Sequence, residues 1–300
     1  MNKEINEYRH FTTPAELHKA VNTLHGILSG IQADEVINSA EIEELSNWCI
    51  LHENLSSKHP FNEILPIAKD VFKSGTLSEE IKSDLLWLCD NFSEENRFYD
   101  EVTSSIQYLS GLIHGIMADE KLLDSEILAL KDWLVKHDYL HGTYPFDEIE
   151  SLIVAVLDDG KISDDEKNML KAFFSNFIDL SNSYNLNESK LNALKEKYCI
   201  DGICGMYQEI DFYGKVFAFT GQSVKCKRTE IQHQIETLGG IFKGSISGKT
   251  DYLIVGAAGN PCWAYSCYGR KIEEAMQIRR AGGKIKIINE IDFWDIVEDL

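Results

Sequence analysis

The sequence predicts an all-α tandem repeat of two four-helix modules, followed by an α/β domain built on a four-stranded parallel sheet. Three observations predict it: a self-match at a spacing of 85 residues, a change of hydrophobic period after Gly214, and a charge split between the two parts. The 300 residues are 44% hydrophobic and 26% charged, ordinary for two or three globular domains, which excludes collagen-like, disordered and low-complexity classes.

The repeat comes first along the chain. A shift of 85 residues lays Gly30-Ile31-Gln32-Ala33-Asp34-Glu35 over Gly115-Ile116-Met117-Ala118-Asp119-Glu120, Trp48 over Trp133 and His52 over His137. Between 26–92 and 111–177, 23 of 67 positions are identical without a gap, so one module occurs twice. Each copy reads as four helices. In the second, Ile106, Leu109, Leu112, Ile113 and Ile116, then Ile127, Leu130 and Leu134, recur at steps of three and four, one apolar stripe per helix. Thr13-Pro14-Ala15-Glu16 predicts a helix start by its cap, its first-turn proline and its Glu. Ser163 to Glu166 repeats the capping box, and Asn38 to Glu41 gives a version with Asn.

A shorter echo runs inside the copies. Asp34 and Glu41, Asp119 and Glu126, and Asp159 and Glu166 are each seven apart, whereas the corresponding Ser74 and Ile81 have lost both carboxylates. An Asp ending one helix and a Glu opening the next can converge on a divalent cation, which makes Asp119, Glu126, Asp159 and Glu166 candidate ligands. An EF-hand is excluded, because Gly160 at loop position six puts Ala155 and Leu157 where carboxylates belong. The other reading is that each Asp bonds turn N–H groups and each Glu completes a cap; caps alone account for the residue types. His52 and His137 stand as ligands or as helix-end caps, and capping is the commoner role.

These motifs, Gly-x-x-Ala-Asp followed seven residues after the Asp by Glu, and Asp-Gly-x-Ile-Ser-x-x-Glu, resemble the TerB-like, tellurite-resistance type of helical domain from about Thr13 to Phe177. The resemblance implies a stress-response or phage-defence setting and a cation-binding role.

A polar connection follows. From Ile178 to Tyr213 the helical period weakens, and Leu191, Leu194 and Tyr198 predict one further short helix. Cys199 and Cys204, five positions apart, and Cys262 and Cys267 at the same spacing are the one zinc-like pattern, but they lack Gly-rich knuckles; buried free thiols are the favoured reading. Seven Cys, an odd number, with a polar stretch from Met1 to His10 predict reduced thiols in a cytoplasmic protein. The longest apolar run, Leu152 to Leu157, is too short for a membrane helix.

After Gly214 the period changes. Lys215 to Thr220 reads as a buried strand ending at Gly221, and a helix over 228–238 stops at Gly239-Gly240. Strands at 241–243, 252–255 and 285–288, a helix over 270–280 and a last helix over 290–300 complete the pattern. Alternation of this kind requires a parallel sheet covered on both faces. The net charge of −20 lies wholly in residues 1–205; all twelve bases of the remainder fall between Gly214 and Lys286 against five acids, a local +7.

Thr220-Gly221 after the first strand, Gly239-Gly240 after the first helix, Thr250-Asp251-Tyr252-Leu253-Ile254-Val255 and the late Trp294 resemble a BRCT domain over about Gly214 to Leu300. The likeness is nearest to the single BRCT domains of bacterial NAD-dependent DNA ligases and of the replication factor C large subunit. It implies phosphate binding by Thr220, Gly221, Arg228 and Lys271, with Arg270 as a substitute for Lys271, and an association with DNA repair or replication. Independently, a hydroxyl and an N–H at a strand end beside two cations make a compact oxyanion site. Lys225, Lys227 and Lys243 extend it toward neighbouring phosphates. The plain alternative is a tight strand exit under a solvated basic surface; four matching positions within the local +7 favour the phosphate site. Trp263, Tyr265 and Tyr268 are candidates for stacking on a base or lining a peptide groove.

The division expected from these signals is 1–95, 96–180, a linker at 181–213, and 214–300. No catalytic constellation is visible: Cys199-Ile200-Asp201-Gly202 lacks the Lys an adenylating site needs, and there is no Walker loop or Gly-x-Gly-x-x-Gly. The expected function is a non-enzymatic adaptor for DNA with an exposed 5′ phosphate, its acidic repeats recruiting a protein partner, with no membrane partner and no cofactor beyond a divalent cation. The alternatives are a phosphopeptide module and a cation-responsive stress module.

Overall fold

The structure, a computed structural model, describes residues 2–31, 37–95, 99, 101–141, 145–178, 180, 183–198, 210–257, 271, 274–275, 278 and 281–300. Four helices, α1 (Asn2–Ile31), α2 (Ser39–Leu51), α3 (Phe61–Ser74) and α4 (Glu79–Glu95), are followed by α5 (Glu101–Met117), α6 (Asp124–Lys136), α7 (Phe146–Val156) and α8 (Asp164–Phe174). The starts of α2, α3 and α4 recur 85 residues later in α6, α7 and α8, as do the 3-10 turns Glu53–Leu55 and Asp138–Leu140. Then comes α9 (Glu188–Tyr198), the short helix expected there.

The chain divides into two compact units, 1–130 with 163–199 and 131–162 with 200–300. In the first, Val21, Leu24 and Leu28 of α1 share one core with Leu45 and Trp48 of α2, Phe61 and Leu65 of α3 and Leu85 of α4. Asn38 and Ser163 cap α2 and α8 as full capping boxes with Glu41 and Glu166. One expected start differs: α1 already runs from Asn2, with Pro14 inside it. There proline removes one backbone hydrogen bond rather than opening the helix, since the helix is paired on both sides of it. His52 and His137 each sit where a helix ends; each Nδ1–H donates to the carbonyl four residues back, Trp48 O and Trp133 O at 2.8 Å, and each ring stacks on that tryptophan.

The two copies of the first helix meet along glycines. A Cβ on Gly26 would lie 2.1 Å from Tyr108 O, and one on Gly111 would lie 2.1 Å from Thr23 O. At Gly30 it would come within 2.9 Å of the Gly115 Cα. Asn22 Nδ2 donates to Gln107 Oε1 at 2.8 Å, a buried pair whose partners stand 85 residues apart. Equivalent residues of the two copies therefore face each other, and α1 and α5 run in the same direction about a local two-fold axis. Backbones approach this closely only where neither helix carries a side chain.

Glu44 locks the same unit from inside. Its side chain is 1% exposed, with Oε1 2.6 Å from His114 Nε2 and Oε2 accepting the N–H groups of Tyr184 and Asn185 at 3.0 Å. Asn185 Nδ2 donates in turn to Ala40 O and Ala118 O. Burial pushes the Glu44 carboxyl up; the His114 bond and charge with the Asn185 N–H outweigh it and hold the group below its ordinary 4.5. A depressed carboxylate stabilises above the unfolded value and loses that contribution as pH falls through the folded one. Glu44→Gln is therefore expected to cost about 3 kcal/mol at pH 7, in the range for breaking a buried pair. It should also remove part of the stability loss below pH 4.5. Urea unfolding at pH 7 and pH 4 reads both effects, and equal wild-type and variant midpoints at pH 7 would refute the clamp.

In the second unit, β1 (Val216–Thr220), α10 (Arg228–Thr237), β2 (Ile241–Lys243), β3 (Tyr252–Val255), β4 (Lys286–Asn289) and α11 (Glu290–Asp299) follow in order. The sheet is wholly parallel, in the order β2-β1-β3-β4. Phe217, Phe219, Ile231, Ile235, Tyr252, Ile254, Ile288 and Phe293 form its core. The last strand sits one residue later than expected, because Asn289 both ends β4 and caps α11 by accepting from Ile291 N at 2.9 Å. Cys49, Cys89 and Cys226 are free thiols, and burial pushes Cys49 up to about 12, as an inert apolar filler requires. Cys199, Cys204, Cys262, Cys267, Asp34, Arg270, Trp263, Tyr265 and Tyr268 lie outside the described residues. No helix among the described residues is long and apolar enough to cross a membrane.

Candidate functional site

Strand order singles out one place on the sheet. The chain leaves β1 for β2 on one side and returns to β3 on the other, so the carboxyl ends of β1 and β3 open a crevice where the winding reverses. Thr220 and Val255 are register partners at those ends, and Gly256 N donates to Thr220 O at 2.8 Å. Gly221 follows with φ +81, a left-handed turn that costs glycine nothing. A Cβ on Gly256 would lie 2.2 Å from Gln222 O, so the two loops cross with no room for a side chain.

Lys271 belongs to a helical stretch and folds over this end of the sheet. Its Nζ donates to Phe219 O at 3.0 Å, beside Thr220. An ammonium has three N–H donors, so two remain for an anion. Burial lowers the Lys271 pKa, the charge of Arg228 lowers it further, and Glu274 opposes both. Arg228 is the first residue of α10 and lies 5.6 Å over the Phe242 ring, exposed to solvent. Among the described residues the Thr220 hydroxyl has no hydrogen-bond partner. The structure thus brings Lys271 onto the Thr220-Gly221 end of β1, while Arg228 stands at the start of α10 over Phe242 of β2, its charge felt at Lys271.

The outer lysines are placed differently. Lys225 pairs with Glu298 and lies 4.7 Å over the Trp294 ring, which commits it to α11. Lys227 is the residue before α10, its N–H held by Glu230 Oε2 at 3.0 Å and its side chain exposed. Lys243 ends β2, exposed, in register with Ala218.

The four candidate cation ligands are all engaged with backbone. Asp119 accepts from Lys121 N and from Asn38 Nδ2, and Glu126 accepts from Leu123 N. Asp159 accepts from Lys161 N, and Glu166 accepts from both the N–H and the hydroxyl of Ser163. Among the described residues, the group of donors within 4.8 Å of one another is instead His141, Asp147 and Glu150. There His141 Nδ1 lies 3.3 Å from an oxygen of each carboxylate.

One residue that shapes the site has no motif behind it. Glu290, fully buried, accepts from the Ser223 hydroxyl, Val224 N, Ala257 N and Trp294 Nε1. A single carboxylate so ties the loop after β1 to the loop after β3. Its one sequence signal is the four-residue step from Glu290 to Trp294 behind a capping Asn289. Glu290→Ala leaves these part-buried donors without their common acceptor and is expected to cost about 2–3 kcal/mol. Urea unfolding followed by tryptophan emission measures it, and a change within about 0.5 kcal/mol, as at an ordinary surface site, would contradict the hub.

Comparison with known proteins bears on this unit. Residues 208–297 match the family described as BRCA1 C Terminus (BRCT) domain. The chain is 33% identical over 87 residues to a DNA ligase of Citrifermentans bemidjiense, which is 29% of this chain and 11% of the ligase. It is 34% identical over 100 residues to a DNA ligase of Alkaliphilus oremlandii, 31% of this chain and 14% of that ligase. A DNA ligase of Clostridium novyi shares 37% over 86 residues, again 11% of its length. The chain thus covers a small part of these relatives. No solved structure matches it.

Proposed function

With residues 208–297 forming a BRCT domain, we propose that this chain is a non-enzymatic adaptor whose last domain holds a phosphate at the carboxyl end of β1, namely the exposed 5′ phosphate of a DNA end or nick. One observation carries the reading: Lys271 Nζ lies 3.0 Å from Phe219 O, next to Thr220, with Arg228 close enough to depress its pKa. One cation at the reversal point of a parallel sheet, with the charge of Arg228 reaching it and a Thr220 hydroxyl that has no partner among the described residues, forms a site for a compact dianion. The local +7 around it draws a polyanion while the acidic region does not. That the relatives are DNA ligases supports DNA as the polyanion. The acidic helical repeats then recruit a protein partner in the cytoplasm, and the division into 1–95, 96–180, 181–213 and 214–300 is the domain organisation of this reading.

The test is binding of the full chain to a nicked duplex with and without the 5′ phosphate, by fluorescence anisotropy across a salt series. Tighter binding to the phosphorylated nick at every salt concentration supports the proposal. Equal affinity for both duplexes sinks the end-specific reading. Retained binding to a phosphothreonine peptide alongside that result would make the site a phosphopeptide pocket instead.

A further inference from the structure

The first unit carries a pocket of about 360 Å³, open to solvent on one side, between the end of α5, α8 and α9. Its size lies in the range of small-molecule sites, with room for on the order of a dozen non-hydrogen atoms at ~30 Å³ each. Met117, Leu186 and Leu191, all buried, and the half-buried Leu194 supply an apolar wall. A wall of this kind holds water poorly, because a buried water needs two to four polar partners.

The rim has the opposite character. Lys121 after α5, Lys171 on α8 and Lys190 on α9 reach the cavity from three elements, together with Glu120. Lys190 Nζ meets Glu120 Oε2 at 2.9 Å, so these two charges cancel. Lys121 and Lys171 have no carboxylate partner among the described residues. In residues 1–205, where acids outnumber bases by twenty, two uncompensated ammonium groups beside an apolar chamber depart from their surroundings. An acyl or aromatic body satisfies the wall and desolvates it, and one anionic head satisfies the lysines.

We propose that this cavity binds a small amphipathic carboxylate, its apolar body against Met117, Leu186, Leu191 and Leu194 and its head between Lys121 and Lys171. The site is separate from the phosphate site at the end of β1 and stands on different residues.

Calorimetric titration of the full chain with decanoate tests it, with 1-decanol and acetate as probes of the two halves of the recognition. Decanoate is expected to bind saturably at one site, 1-decanol at least tenfold more weakly, and acetate not at all. Ala193→Trp places a large side chain on the cavity lining and is expected to abolish decanoate binding. Lys171→Glu should weaken it at least tenfold, and Lys121→Glu with Lys171→Glu should abolish it; circular dichroism and melting check that each variant is folded. No saturable heat with decanoate, equal affinity for 1-decanol, or undiminished binding in folded Ala193→Trp or in the double lysine variant would each overturn the proposal.

Discussion

Gly111→Val is expected to destabilise the helical region by about 3 kcal/mol or more, at the upper end of overpacking penalties because the obstacle is backbone. The added Cβ would lie 2.1 Å from Thr23 O and 2.9 Å from Thr23 C, atoms that cannot move without displacing α1. Gly111→Ala tests the sign. In an open helix alanine gains about 1 kcal/mol over glycine, so any net loss measures the clash itself. Gly26→Ala should behave alike, since its Cβ meets Tyr108 O at the same 2.1 Å. Gly244→Ala, with no heavy atom within 4 Å of its Cβ, is the neutral control. For a unit of this size the valine variant should melt roughly 6–12 °C lower. A Gly111→Ala protein as stable as the parent would mean that α1 and α5 do not meet along this seam.

Lys271→Ala is expected to remove the preference for a 5′-phosphorylated nick. A charged hydrogen bond to phosphate contributes about 1.5–3 kcal/mol, so affinity for the phosphorylated duplex should fall roughly tenfold to hundredfold. Affinity for the hydroxyl-ended duplex should change little. Arg228→Ala should weaken both duplexes and reduce the steepness of the salt dependence by about one ion. Thr220→Ala removes a single neutral hydroxyl and should cost about 1 kcal/mol, on the phosphorylated duplex only. Lys225→Ala is the informative contrast. Its ammonium is held by Glu298 and Trp294, so end preference should survive its loss. Since Lys271 also bonds Phe219 O, the melting temperature of its variant must be measured beside binding. A folded Lys271→Ala protein that still prefers the phosphorylated end would remove the residue from the site.

Much of the architecture is legible in the residues because its causes are local. Asn38 with Glu41 and Ser163 with Glu166 are three apart, and each closes the cap its residue types suggest. The β-branched and aromatic run ending at Thr220 forms a buried strand, and glycine follows it where φ turns positive. Pro14 shows the limit of such reasoning: a sound local start pattern lies inside a helix already under way. Of the basic candidates, Lys271 reaches the carbonyl beside Thr220, whereas Lys225 is taken up by an acid 73 residues later that no spacing announces.

The sequence by itself determined the 85-residue repeat, the caps at Asn38 and Ser163, the succession of strands and helices after Gly214 and the +7 segment, all properties of neighbours along the chain or of simple counting. Tertiary structure alone decided that Gly26 and Gly111 would touch, that Glu44 would hold His114 and the backbone at Tyr184 and Asn185, and that Glu290 would join the loop after β1 to the loop after β3. It also decided which lysines around the cavity would keep an acidic partner. These pairings span tens of residues to more than a hundred, and a buried polar group takes whichever partner the folded core brings within reach.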